Sequence, residues 1–285
     1  RRQRQMCIRD SHQDIRVLVG GKEHEQIDKE IVALRETFPA LESDDDEVSV
    51  EFVYGEQGMS INRPRNIQAP TMQEILGNYN QAARTELERL SHPDFRPDMD
   101  SGKLLLWHGP PGAGKTYAVR ALMRDWKPWC QSWCVLDAES FFSDVSYMTD
   151  LLIDHLDDAR DKWRLLVIED AGELMGVDAG MQAGQGLSRL LNLSDGILGQ
   201  GLPIMILITT NQPLSQLHAA ASRAGRCLSQ QEFGLLERSE AQEWLQAQGS
   251  DKQVSKATSL ADLYALLRGE EPGSSSADGS FGFRA

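Results

Sequence analysis

Cysteine is scarce in this chain. Cys7, Cys130, Cys134 and Cys227 are the only four in 285 residues, and they are scattered. Cys130 and Cys134 are spaced C-x3-C, but no second pair and no nearby histidine cluster accompanies them. A metal site is therefore disfavoured, and buried or idle thiols are expected. Long apolar runs are also missing. No run of about 18 apolar residues occurs, so no membrane-spanning helix is expected. The N-terminus, Arg1-Arg2-Gln3-Arg4, has no apolar segment behind it, so no signal peptide is expected, and it lacks an initiator Met, as a fragment would. Basic charge is in short supply. The 29 Lys and Arg face 43 Asp and Glu, for a net charge of −14. Such a surface repels nucleic acid and anionic membranes as a whole, and no Lys/Arg-rich segment stands out beyond the first few residues. What remains is an ordinary globular composition, long enough for one large or two modest domains with ample core.

Against those absences, one stretch is rich in information. Leu104-Leu105-Leu106-Trp107-His108 reads as a short apolar strand, and Gly109-Pro110-Pro111-Gly112-Ala113-Gly114-Lys115-Thr116 follows it. These eight residues fit G-x-x-x-x-G-K-[ST], the phosphate-binding P-loop, and a helix-compatible run to Trp126 comes next. Glycines let backbone N–H groups crowd around phosphates with no Cβ in the way. The helix behind them points its positive end at the same place. Lys115 adds a compact charge for the outer phosphates of ATP, and the Thr116 hydroxyl can ligate Mg2+.

From Leu104 onward the pattern alternates strand and helix, which implies an α/β fold with a parallel sheet and helices on both faces. Strands are expected at Leu104–His108, Trp133–Asp137, Leu165–Glu169 and Pro203–Thr209, with a fifth near Gln230–Phe233. Helices are expected at Thr116–Trp126, Met148–Lys162 and Gly186–Leu193. Upstream, Thr71 and Glu74 form a capping box, and Met72, Ile75, Leu76, Tyr79, Ala83, Leu87 and Leu90 make one apolar stripe of a helix ending near His92. That helix reads either as a core-packing element or as a cover for a nucleotide base through Tyr79 or Ile75. Val48–Tyr54 alternates as a strand does, Ile15–Val19 could be another, and Ile27–Phe38 has helical spacing. Glu42–Glu47 reads as a solvated acidic loop.

Two strand ends carry chemistry. Leu165-Leu166-Val167-Ile168 runs into Glu169-Asp170, the form of a Walker B strand about 50 residues after the P-loop. The apolar run buries the strand, and the acids emerge beside the phosphates. The first orients Mg2+ or its waters, and the second polarises the attacking water. Ile204–Thr210 ends in Asn211, a polar side chain able to hold that water, or simply a turn residue.

Gly109–Thr116, Leu165–Asp170, Ser188–Gly196, Ile206–Asn211 and Leu217–Arg226 occur in the order and spacing of the motifs of an AAA-family ATPase. The chain resembles that family over about residues 70–268. Gly186-Leu187-Ser188 faintly resembles the signature loop of ABC transporter ATPases, but that loop would precede Walker B, and here it follows. The AAA resemblance implies a P-loop NTPase core at residues 69–236 and a short helical lid at 237–268; the Gly- and Ser-rich residues 269–285 read as a disordered tail and 1–68 as a small α+β appendage of unknown role. It places Thr116 and Glu169 at Mg2+, Asp170 as the water-polarising acid, Asn211 as sensor 1 and Arg226 as an arginine finger, with Arg223 before it. A finger acts on the neighbouring subunit, so the resemblance implies a homo-oligomeric ring, usually a hexamer. It implies Mg2+-dependent ATP hydrolysis that remodels a protein client, in the cytoplasm given the few cysteines.

Several features depart from the family pattern. The acids stand as Glu-Asp rather than Asp-Glu, an order that some mitochondrial AAA translocases share. Ser229 stands where many members keep a second finger. No sensor-2 arginine is evident. The residues at the pore-loop position, Phe141, Phe142, Val145 and Tyr147, lack an aromatic-Gly motif and read either as a substrate-gripping loop or as core packing. These departures keep open a second function, an ATP-binding assembly switch with little or no hydrolysis. A DNA-handling role is disfavoured by the acidic charge. Phe281-Gly282-Phe283 could be a docking peptide or an aromatic tail without function.

Overall fold

The computed structural model describes residues 33–34, 45–99, 102–153, 162–172, 188–190, 192, 202–213 and 227–270. The chain divides into two compact units, Arg1–Asp44 and Asp45–Ala285. In the first, residues 33 and 34 are described, and they are helical. The strand expected at Ile15–Val19, most of the helix expected at Ile27–Phe38 and the tail segment Phe281-Gly282-Phe283 lie outside the described residues.

The second unit is built on a seven-stranded sheet. Its strands are β1 (Glu47–Glu56), β2 (Met59–Gln68), β3 (Leu104–His108), β4 (Cys130–Val135), β5 (Trp163–Ile168), β6 (Ile204–Thr210) and β7 (Cys227–Glu232), in the order β2-β1-β4-β5-β6-β3-β7. Only the β1–β2 hairpin is antiparallel, and every other pairing is parallel. The central strands β3, β5 and β6 are almost wholly apolar and buried, as strands covered on both faces must be.

Alternation along these strands makes two cores. Leu105, Trp107, Leu165, Val167, Met205 and Leu207 face one side. There they meet α1 (Met72–Ile75), α2 (Gln81–Ser91) and α3 (Lys115–Trp126) through Met72, Ile75, Leu87, Leu90 and Leu122. Leu104, Leu106, Leu166, Ile168, Ile206 and Ile208 face the other. They meet α4 (Ala138–Ser143) and α5 (Val145–Ile153) through Phe141, Phe142, Tyr147 and Leu151. A third, smaller core joins α6 (Arg238–Ala247) and α7 (Leu260–Arg268) around Leu236, Trp244, Leu245 and Leu263.

Three expectations are corrected, and one open alternative is decided. The stripe from Met72 to Leu90 is two helices, not one. After α1 comes a 3-10 turn at Leu76–Asn78, and Asn80 then caps α2 by accepting from the Ala83 N–H at 3.0 Å. Gly77, Asn78 and Asn80 are weak helix formers, and the Asn80 side chain makes a better cap than a helix interior residue. The second core strand ends at Val135, not Asp137, because Asp137 caps α4 by accepting from the Ser140 N–H at 3.0 Å. Phe141, Phe142 and Tyr147 are fully buried and packed edge to face at 5.5 Å, so they form core and offer no gripping loop. Of the four candidates only Val145 is exposed. Lastly, the hairpin of β1 and β2, expected in an appendage ending at residue 68, continues the main sheet through β1–β4 pairing, and the unit boundary falls at Asp44.

Candidate functional site

The parallel strands all point their C-terminal ends to one edge, and the loops that leave β3, β5 and β6 meet there. Residues 109–114 form the loop after β3. Gly109 has φ 146°, and a Cβ on it would lie 2.1 Å from the Phe233 carbonyl oxygen. The Phe233 N–H in turn donates to the His108 carbonyl at 2.7 Å, so the end of β7 lies directly against the loop. Gly114 has φ 88° and serves as the N-cap residue of α3. No side chain caps that helix, and its first amides stay open toward the loop, the arrangement that receives an anion.

Lys115, the first residue of α3, is buried. Its ammonium donates to the Gly109 carbonyl at 2.8 Å, the Pro110 carbonyl at 3.1 Å and Asn211 Oδ1 at 2.8 Å. Burial lowers its pKa, while the charges of Asp170 and Glu169 act in the opposite sense. The Thr116 hydroxyl donates to Glu169 Oε1 at 2.6 Å. Asn211 Nδ2 donates to Asp170 Oδ1 at 2.7 Å. One chain of hydrogen bonds thus runs from the P-loop lysine through Asn211 to the second acid, and a second bond ties the P-loop threonine to the first acid. Lys115 is enclosed, while Thr116, Asp170 and Asn211 are exposed at the mouth. The structure therefore assembles Gly109 through Thr116, Glu169, Asp170 and Asn211. Arg223 and Arg226 lie outside the described residues. Of the helix expected at 186–193, residues 188–190 and 192 are described and helical, and the rest lies outside them.

Two further contacts shape this site. The N-terminus of α7 sits on the loop: the Ala261 N–H donates to the Gly112 carbonyl at 3.0 Å, and a Cβ on Gly114 would lie 2.9 Å from Leu260. In sequence its trace is Ala257–Leu263, which is similar to the family's small-residue segment near the nucleotide. Tyr79, a candidate cover for a base, is buried instead. Its ring meets Phe233 edge to face at 5.5 Å, and its hydroxyl donates to the Gly114 carbonyl at 3.1 Å. Ile75 is likewise core. Ser229, at the second-finger position, is buried within β7 opposite Leu105.

Residues 105–235 match the family model described as "ATPase family associated with various cellular activities (AAA)". Over that segment the chain carries an AAA-type domain. Its AAA domain is thus a P-loop α/β core, the fold expected. No curated protein matches the chain significantly. Among solved structures it is similar to a chain of the E. coli MS115-1 HORMA:CdnC:Trip13 complex, at 20% identity over 69% of this chain and 71% of that one, with a TM-score of 0.43. It is also similar to the FIGL-1 AAA domain, at 22% identity over 60% of this chain and 57% of that one, with a TM-score of 0.42.

AAA domains bind and hydrolyse ATP, typically with Mg2+. The residues present fit both. The glycine cradle, the uncapped amides of α3 and the buried Lys115 ammonium suit a polyphosphate, and the paired oxygens of Thr116 and Glu169 are hard donors suited to Mg2+. Among the described residues no group of three or more His, Cys, Asp and Glu could hold a metal ion. Cys130 and Cys134 are free and do not form one, and burial pushes the Cys134 thiol up to about 12. No described helix is long and apolar enough to cross a membrane.

Proposed function

We propose that this protein is an Mg2+-dependent ATPase that works as a ring of identical subunits and remodels a protein partner. The observation that carries the hydrolytic part is the Lys115–Asn211–Asp170 chain of hydrogen bonds beside the Thr116–Glu169 pair, because it sets groups for binding and for catalysis in one mouth. Bound Mg-ATP supplies the phosphoanhydride to be cleaved and a cation that draws charge from it. Lys115 and the open amides of α3 hold the negative charge. Thr116 and Glu169 offer the metal its oxygens. Asp170 accepts the proton of a water, and Asn211 keeps that carboxylate aimed by its 2.7 Å hydrogen bond. Arg226 acts as a finger at a neighbour's site, which makes a ring necessary for full activity.

The test is turnover of Mg2+-ATP by the purified protein, by Lys115→Ala and by Asp170→Asn, across a range of protein concentrations. Specific activity rises as subunits associate, and both variants lose it. Wild-type turnover no higher than that of Lys115→Ala would sink the proposal. A second reading is a nucleotide-binding assembly switch with little hydrolysis. It is favoured by the short Asp170 side chain, whose carboxylate is already engaged by Asn211. That reading predicts ATP-dependent assembly in which Asp170→Asn behaves like wild type.

A further inference from the structure

The second acid stands on unusual backbone. Among the described residues, two non-glycines have positive φ, Gln57 at 53° and Asp170 at 52°. Gln57 lies in the β1–β2 hairpin turn, where such values are ordinary. Asp170 lies two residues beyond the loop-ward end of β5, next to Glu169, in the left-handed region where Asp is tolerated better than most side chains. Thr209 holds it there. The Thr209 hydroxyl accepts from the Asp170 N–H at 3.1 Å, and the Thr209 carbonyl accepts from the Ala171 N–H at 3.0 Å. Thr209 is itself buried at 3% exposure and locked opposite Trp107 in the β3–β6 register. One residue of β6 therefore grips two successive amides of the turn that carries the acid, and Asn211, two residues on, binds the acid's side chain.

We propose that Thr209 is a positioning residue: its hydroxyl keeps Asp170 in the left-handed conformation that presents the carboxylate to Asn211. This rests on the hydrolytic reading above for its catalytic consequence, but not for the conformation itself. The test compares Thr209→Val, which keeps shape and strand preference but removes the hydroxyl, with Thr209→Ser, which restores it. Two readouts are taken on the full chain. Hydrogen exchange of the Asp170 amide, followed by NMR without nucleotide, accelerates about tenfold in Thr209→Val and stays near wild type in Thr209→Ser. For ATP hydrolysis, kcat falls about 10- to 100-fold in Thr209→Val with KM within about twofold, and Thr209→Ser recovers most of it. Unchanged Asp170 exchange in Thr209→Val overturns the proposal, as does wild-type kcat in that variant when wild type is active. Equal damage in both variants also overturns it, because the methyl group and not the hydroxyl would then matter. If wild type turns over no faster than Lys115→Ala, the hydrolytic reading fails, and the exchange data alone decide whether Thr209 sets the conformation of Asp170.

Discussion

One buried amide helps to tie the C-terminal helices to the nucleotide-binding core, and cutting it should loosen the site from a distance. Asn78, at the end of the 3-10 turn after α1, is buried, and its Oδ1 accepts from Trp244 Nε1 of α6 at 2.8 Å. On the other side of Trp244, the ring of Tyr264 of α7 meets it edge to face at 5.0 Å. Next along the chain, Tyr79 donates to the Gly114 carbonyl, so the latch adjoins the P-loop. Asn78→Ala strands the buried Trp244 N–H, at a cost of about 2–3 kcal/mol. In a protein of this size that lowers Tm by about 4–12 °C. Trp244→Phe removes the donor itself. In a double-mutant cycle, Asn78→Ala should therefore cost less than about 1 kcal/mol in the Trp244→Phe background. Thermal and urea unfolding of the four proteins give the coupling. Equal costs in both backgrounds, or a loss below about 0.5 kcal/mol in the wild-type background, would refute the latch.

Three further outcomes follow, two from single positions and one from a pair. Gly109→Ala should abolish nucleotide binding, measured by fluorescent ATP-analogue titration, because the new Cβ meets a backbone oxygen 2.1 Å away and neither side can yield cheaply. Asp125, half-buried in the last turn of α3, has its pKa pushed up to about 6 by burial. Its folded form binds the proton more tightly than the unfolded chain does, so it favours the fold at low pH and that contribution is lost as pH rises from about 4 to about 6. Asp125→Asn should then raise stability at pH 7 by about 1 kcal/mol, after allowance for solvent screening, and give no gain at pH 4; denaturant melts at the two pH values test this. Exchanging the two acids, Glu169→Asp with Asp170→Glu, should lower kcat at least about tenfold, because a Glu at position 170 suits φ 52° less well. Activity equal to or above wild type would show that the order of the acids is unconstrained by the backbone.

The core strands were legible because each carries a signal that survives burial. Leu104–His108, Leu165–Ile168 and Ile204–Thr210 are continuous apolar runs ending in polar loop residues, and only a doubly covered parallel strand needs that pattern. The breaks were less legible. Met72 to Leu90 keeps helical spacing across Tyr79 because two successive helices pack the same core, so periodicity persists where the helix does not. Val48–Tyr54 showed its alternation, but nothing local says whether a strand joins a neighbouring sheet, and pairing with β4 is set by residues some 80 positions away. Phe141 and Phe142 illustrate an alternative that sequence leaves open. Aromatics in a short segment after a strand suit a binding loop, and only the Asp137 cap betrays the small helix that turns them inward.

The site separates residue identity from residue posture. Lys115, Thr116, Glu169, Asp170 and Asn211 could be named from motif spacing, since a phosphate cradle and a strand-end acid each need particular side chains at particular offsets. Their hydrogen bonds could not, because those depend on how the ends of β3, β5 and β6 are staggered in register. Asp170 shows the difference most clearly. From letters alone, an Asp where relatives carry Glu reads as a carboxylate one methylene short of its water. On the folded chain, reach depends on φ as much as on side-chain length, and the left-handed turn at Asp170, held by Thr209 from the neighbouring strand, brings the carboxylate to 2.7 Å from Asn211. A longer acid on that turn would gain length and lose the conformation. The inverted Glu-Asp order is then matched to the backbone that carries it, and the shorter side chain is no argument by itself against hydrolysis.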